Sequence, residues 1–278
     1  MLTQEGIVIK TIKYQETSKI AFILSENGIK TYLVRNANNY KSKNFSYSQE
    51  LIKLSFDVAK KENKKDSFEI ITSGKVLDNY SNIKNNIDAL LNSIEILEII
   101  YSLSMHANDN HTLYSFLSKI LNLINKNITY RKLYCLIFKT KLLYLLGIAP
   151  NFSHCSKCQT KEDLYSLQLD SGTSLCKKCF SLNEAIIYGK SYNILRFLYL
   201  TKVEQFDEKI IKKIIEDEKS INDINEFLDR YYDYYLGYKS QTKKIANKIK
   251  NNWIKIPSFS IIIMKEGFFI WKKIILNH

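Results

Sequence analysis

The stretch HCSKCQTKEDLYSLQLDSGTSLCKKCF, residues 154–180, sets four of the chain's five cysteines in two C-x2-C pairs, with seventeen residues between the pairs. Each C-x2-C turn can aim two thiolates at one point, and two such turns complete the tetrahedron that Zn2+ accepts. Cys155, Cys158, Cys176 and Cys179 are therefore the expected ligands of one zinc ion. Between them, DLYSLQL and TSL read as two strands joined by Asp170-Ser171-Gly172-Thr173, with the glycine where a positive φ is needed. The result is a zinc ribbon over residues 151–182. Four thiolates leave no open coordination position for water, which makes the expected metal structural rather than catalytic. Lys157, Lys161, Lys177 and Lys178 can offset the −2 charge of such a centre, so they do not by themselves imply a polyanionic ligand. His154 reads as a flanking surface residue, and Cys135, inside the apolar run LYCLIF, as a buried core thiol.

The chain on either side of the ribbon has two different periods. Up to about residue 75, GIVIK, KIAFIL, KTYLV, LIKLSFDV and SFEIIT are short runs rich in β-branched and aromatic residues, bounded by turn residues such as Gly28 and Gly74. Ile52, Leu54, Phe56 and Val58 alternate at period two, as a half-buried strand requires. Five strands in this length suit a small closed barrel of the OB type. From residue 81 the apolar spacing changes to three and four: Ile83, Ile87, Leu90, Ile94, Leu97 and Tyr101 make a helical stripe. Further stripes run through HTLYSFLSKILNLI and RKLYCLIFKTKLLYLLG, and helical patterns resume over about 191–237, with Ser220 expected as an N-cap. The fold class is thus α+β: an N-terminal OB-fold barrel over 1–80, then an all-α domain over 81–240 carrying the inserted ribbon. Residues 241–278 read as a basic tail that is poorly ordered.

Charge narrows the function less than its size suggests. The formal net charge is +13, but the last 38 residues contribute +7 of it, leaving +6 on the body. Chemistry is narrowed more by what is missing from the motifs. Gly189-Lys190-Ser191 resembles the end of a phosphate-binding loop, yet the glycine needed five positions earlier is Glu184. No histidine is followed two residues later by glutamate, so the zinc-deaminase signature is absent, and G-x-S-x-G and H-E-x-x-H are absent too. A hydrolytic or nucleotide-driven enzyme is therefore not expected. The loop VRNANNYKSKNFSYSQ, residues 34–49, carries Arg35, Lys41 and Lys43 with Tyr40, Phe45 and Tyr47 interleaved and no acid. Cations there would meet phosphates while aromatic faces stack on unpaired bases, the single-strand mode of OB folds. Arg35, Tyr40, Lys41 and Lys43 are the candidate nucleic-acid contacts. The start of the chain shows no secretory pattern, and no run is long and apolar enough for a membrane span, so a cytoplasmic protein with no membrane partner is expected.

Taken together, these pieces resemble the bacterial DNA repair family RecO. Gly6, Val8, Tyr14 and Glu16 match the family's opening strand, and RNANNYKS aligns with its R-G-A-R-x-x-x-S segment through Arg35, Ala37 and Ser42. YLLGIAPNFSHCSKC and CKKCF are similar to the segments around its cysteine knuckles, and YYDYYLGYKSQ to its closing helix. Asn36 and Gln15 stand where the family has glycine, Asn38 where it has the second arginine, and Gln241 where it has the last arginine of K-S-R. The resemblance covers about residues 5–241. It implies a non-enzymatic recombination mediator that binds single- and double-stranded DNA, anneals strands and contacts the tail of single-strand-binding protein. With RecR, such a mediator helps RecA load onto DNA coated with that protein. A zinc-ribbon nucleic-acid-binding module acting in transcription or on RNA is the alternative.

Overall fold

The computed structural model describes residues 3–59 and 68–253, with side chains up to residue 248. Trp271 and the rest of the tail from residue 254 lie outside the described residues. Five strands come first: β1 (Gln4–Tyr14), β2 (Ser18–Ser25), β3 (Gly28–Val34), β4 (Lys53–Val58) and β5 (Glu69–Asp78). They close into a barrel in the order β1-β2-β3-β5-β4, with β3 and β5 parallel and β4 returning antiparallel to β1. Period-two alternation directs Ala21, Ile23, Tyr32, Val34, Leu54, Phe56 and Ile71 into the barrel interior. A bulge between Val8 and Lys10 shifts the register of β1. Val8 then packs inside the barrel, while Ile7 and Ile9 join the core formed by the helices.

Two details of this region differ from the sequence reading. A short helix, α1 (Lys43–Tyr47), interrupts the expected loop; Ser42 caps it by accepting from the Asn44 N–H at 3.2 Å. Gly74 does not bound the fifth strand but lies inside it. It is small because the Tyr47 ring lies over it: a Cβ there would sit 2.9 Å from Tyr47 Cγ. Period-two patterning is lost around a glycine that serves as a floor for a ring, so the strand runs on past the end its sequence predicts.

The helical part contains α2 (Ser81–Lys84), α3 (Ile87–Leu103), α4 (Asn110–Lys126) and α5 (Arg131–Leu145) before the ribbon. After it come α6 (Gly189–Leu200), α7 (Glu208–Ile215) and α8 (Glu218–Leu236). Asn86 and Asp109 cap α3 and α4 by accepting from the N–H groups of Ala89 and Thr112, both at 3.0 Å. The cap of α8 is Asp217, not Ser220. The Asp217 carboxylate accepts from the Ser220 N–H at 3.1 Å and from its hydroxyl at 2.9 Å, which places the serine in the first turn. A carboxylate there also meets the positive end of the helix, an advantage serine lacks. Buried almost all round, α5 is the central helix, and one hydrophobic cluster runs from Ile7 and Leu24 of the barrel through α3–α5 to Leu228 of α8.

Residues 1–240 form one compact unit. A second begins at Gln241, where Gln241–Trp253 is a further helix, α9. Among the described residues no helix is long and apolar enough to cross a membrane.

Candidate metal centre and nucleic-acid face

The ribbon is broader than the two strands its sequence predicts. β6 (Asn151–Cys155), β7 (Leu164–Gln168), β8 (Thr173–Cys176) and β9 (Ala185–Tyr188) form one sheet in the order β6-β8-β7-β9. The expected hairpin is β7–β8, and Gly172 has φ +61° as its turn requires. The flanking strands escaped sequence reading because NFSHC and AIIY are too short for a period to show.

Cys155 ends β6 and Cys176 ends β8, so the sheet itself sets one sulfur of each knuckle, and the turns that follow return Cys158 and Cys179. All four sulfurs lie within 4.8 Å of one another, and those of Cys158 and Cys176 are 3.6 Å apart. A regular tetrahedron with Zn–S bonds of about 2.3 Å has edges of about 3.8 Å, so the donor set fits that ion. His154 is not in the cluster; its Nδ1 is 2.6 Å from the Ser153 hydroxyl. Burial would push the Cys155 thiol up, but the N–H groups of Cys176, Cys158 and Lys157 aimed at its sulfur win and pull it down to about 6. Cys179 is pushed up to about 12, first by hydrogen bonding with Cys158 and then with Cys176. The knuckle amides thus favour a thiolate at Cys155, as zinc ligation requires. Lys157 is spent on Glu184 at 2.8 Å, while Lys161, Lys177 and Lys178 are exposed.

Tyrosines fasten this sheet to the helices. Tyr192 of α6 donates to Ser174 Oγ at 2.8 Å, Tyr231 of α8 to the Ile148 carbonyl at 3.0 Å, and Tyr235 to the Leu169 carbonyl at 3.0 Å. A Cβ on Gly172 would lie 2.7 Å from the Tyr231 hydroxyl. Gly172→Val is therefore expected to lower stability by about 2 kcal/mol or more, since it combines left-handed backbone strain with a steric clash at the ribbon's anchor. Denaturant unfolding measures it; a change within about 0.5 kcal/mol would mean the anchor is slack.

At the end of the barrel that carries the β1–β2 turn, the segment after β3 is built outward from buried contacts. Ala37 is fully buried in the barrel core, and the Asn38 amide donates to the carbonyls of Glu16 and Ser18 at 3.2 and 3.0 Å, tying the segment to that turn. The Asn44 amide holds the Arg35 carbonyl at 2.8 Å. Lys19 is buried beneath it, 5.3 Å from the centre of the Phe45 ring, and desolvation lowers its pKa despite nearby Glu50. This frame leaves Arg35, Lys41 and Lys43 exposed, and Tyr40 74% exposed. Among the described residues no ion pair occupies those three cations. The four predicted contacts thus lie together on one ordered segment. Of the other aromatics, Phe45 is half-buried and Tyr47 is buried against Gly74, so Tyr47 cannot serve as a stacking surface.

Comparison with known proteins bears on both regions. A family model described as the N-terminal part of recombination protein O matches residues 1–80, and one for its C-terminal part matches residues 85–244. The chain belongs to the RecO family. Among relatives, the DNA repair protein RecO of Oceanobacillus iheyensis is 27% identical over 246 residues, covering 88% of this chain and 92% of the relative. That of Bacillus subtilis is 22% identical over 255 residues, covering 90% and 96%. A RecO-family DNA repair protein with this barrel, helical part and cysteine cluster agrees with the resemblance read from its motifs. The positions where the chain departs from the RecO pattern also become intelligible. Asn36 and Gln15, which the motif resemblance sets where the family has glycine, have φ of 54° and 55°, so the backbone there is in the left-handed conformation that glycine adopts most easily.

Proposed function

We propose that this RecO-family protein binds DNA through Arg35, Tyr40, Lys41 and Lys43 at the open end of its barrel and acts as a recombination mediator. The observation that carries the reading is the ordered segment after β3, which presents unpaired cations around an exposed ring while its polar side chains are spent on holding it in place. Cations release counterions from the phosphates they neutralise, and an exposed tyrosine can stack on an unpaired base. The division of labour follows the sequence: 1–80 for nucleic acid, 81–240 as a helical platform, the ribbon at 151–182 as its brace, and 241–278 as a basic extension. Cys155, Cys158, Cys176 and Cys179 would hold one structural Zn2+, leaving no position for a reacting water.

In this role no bond is made or broken, so the protein is not an enzyme. It would bind single- and double-stranded DNA, anneal complementary strands, take up the tail of single-strand-binding protein and, with RecR, help RecA onto coated gaps. Such work places it in the cytoplasm on the nucleoid. Replacing Arg35, Lys41 and Lys43 together by alanine should weaken binding of a single-stranded oligonucleotide. Three lost phosphate contacts should also flatten the slope of log K against log salt by about 2. An unchanged slope would place the contact surface elsewhere.

A further inference from the structure

The four sulfurs of the ribbon are alike as metal donors and unlike in access. Cys155 and Cys176 end β6 and β8 and are buried, Cys179 is half-buried, and Cys158 is exposed. The first knuckle leaves it so: the Gln159 N–H donates to the Cys155 carbonyl at 2.9 Å, Gln159 turns the chain with φ +63°, and the flanking Ser156 and Lys157 are exposed as well. Backbone N–H groups aimed at the Cys155 sulfur draw on its electron pairs. The Cys158 sulfur instead has the Cys176 sulfur 3.6 Å away. An S–S bond is about 2.05 Å long, so side-chain movement of about 1.5 Å would join them. Metal ligation holds each cysteine as thiolate, which is also the form that attacks peroxides. Solvent thus reaches one nucleophilic sulfur with a second beside it, an arrangement that a purely structural brace does not require.

We propose that Cys158 is a hydroperoxide-reactive site, that Cys176 resolves it, and that the resulting disulfide replaces the metal as the link between the knuckles. The inference rests on the structural-zinc reading above and not on the DNA contact. In the first step the Cys158 thiolate attacks one oxygen of the hydroperoxide. An S–O bond forms, the O–O bond breaks, and the leaving alkoxide or hydroxide takes up a proton from solvent. The sulfur is oxidised to a sulfenic acid and the peroxide is reduced to an alcohol or water. In the second step the Cys176 thiolate attacks the Cys158 sulfur: the S–S bond forms, the S–O bond breaks, and the departing hydroxide is protonated. Two of the four donors are then spent, and Cys155 with Cys179 alone cannot retain zinc. A dithiol reverses the change by exchange and returns both thiols. Because the new bond spans the knuckles, the β7–β8 hairpin between them stays closed. Tyr192 and Tyr235 meanwhile keep the sheet on the helices through Ser174 and the Leu169 carbonyl.

The full chain, its zinc content measured first, is titrated with hydrogen peroxide while a chromogenic chelator reads released zinc. About one zinc per chain should be lost as peptide mapping finds the Cys158–Cys176 disulfide, and dithiothreitol with added zinc should restore both thiols and the metal. At limiting peroxide, a 1,3-dione that captures sulfenic acids should mark Cys158 first. Cys135, buried in α5, is the internal control and should stay a free thiol. The oxidised protein should melt above the chelated protein and below the zinc form, since the disulfide keeps one loop closed. First labelling of Cys155 or Cys179, a disulfide confined to one knuckle, zinc retained under peroxide, or an oxidised form melting no higher than the chelated one would overturn the inference. Protein purified without zinc would contradict the underlying reading instead, and the dione label and the disulfide map would still decide this one.

Discussion

With the zinc proposed above held by the four sulfurs, Cys176→Ser is expected to release it and to lower stability by about 3–5 kcal/mol, at the upper end of what a single substitution does. The size follows from position. Cys176 is buried in the same cluster as Leu175, Ile187 and Tyr192, so losing the metal leaves unpaired thiols inside a core as well as freeing the two knuckles. Metal analysis and thermal melting measure the effect, and chelation of the wild-type protein should reproduce it. Acid should do the same, because thiolates must take up protons as zinc leaves. The DNA affinity of the fraction that remains folded should change by no more than about twofold. A folded variant without zinc that binds no DNA would give the ribbon a direct role in contact.

A comparable loss is expected from Lys139→Met. The Lys139 ammonium is buried in α5, donating to Glu95 of α3 at 3.0 Å and to the Asn225 side chain of α8 at 2.7 Å. Three helices therefore meet on one charge. Removing it takes away the cation that balances the buried Glu95 carboxylate and should cost about 3–5 kcal/mol, whereas replacing Lys139 and Glu95 together by Met and Leu should recover most of that loss. Burial pulls the Lys139 pKa down, but Glu95, with Cys135 and Asp229 nearby, outweighs it and holds the group above its ordinary value. A raised folded pKa contributes stability that is fully present below the unfolded value of about 10.4 and is lost as pH rises through the folded one. Wild-type stability should therefore drop in strongly alkaline solution, and the double variant should lack that part of the drop. Equal alkaline loss in both proteins would show that the pair is not responsible.

Sequence reading reached those parts of the molecule that short-range physics controls. Period two marked the barrel strands, period three to four marked α3–α5, and the spacing of four cysteines brought together sulfurs that the fold holds within 4.8 Å. It failed where a residue's role is decided by a distant partner. Tyr47 looked like one more aromatic in a basic loop, and only its ring over Gly74, on another strand, buries it. The expectation of Ser220 as the cap of α8 fails in favour of Asp217 because both are good capping residues and only the start of the first turn decides between them.

A DNA-contacting barrel end and a bracing ribbon should respond differently to substitution. The salt dependence of single-stranded DNA binding, measured in parallel for the wild type, the Arg35, Lys41 and Lys43 alanine variant, and folded Cys176→Ser, tests it most directly. The slope should be flatter by about 2 in the alanine variant and wild-type in the folded cysteine variant. A wild-type slope in the alanine variant, with a collapsed slope in the folded cysteine variant, would contradict it.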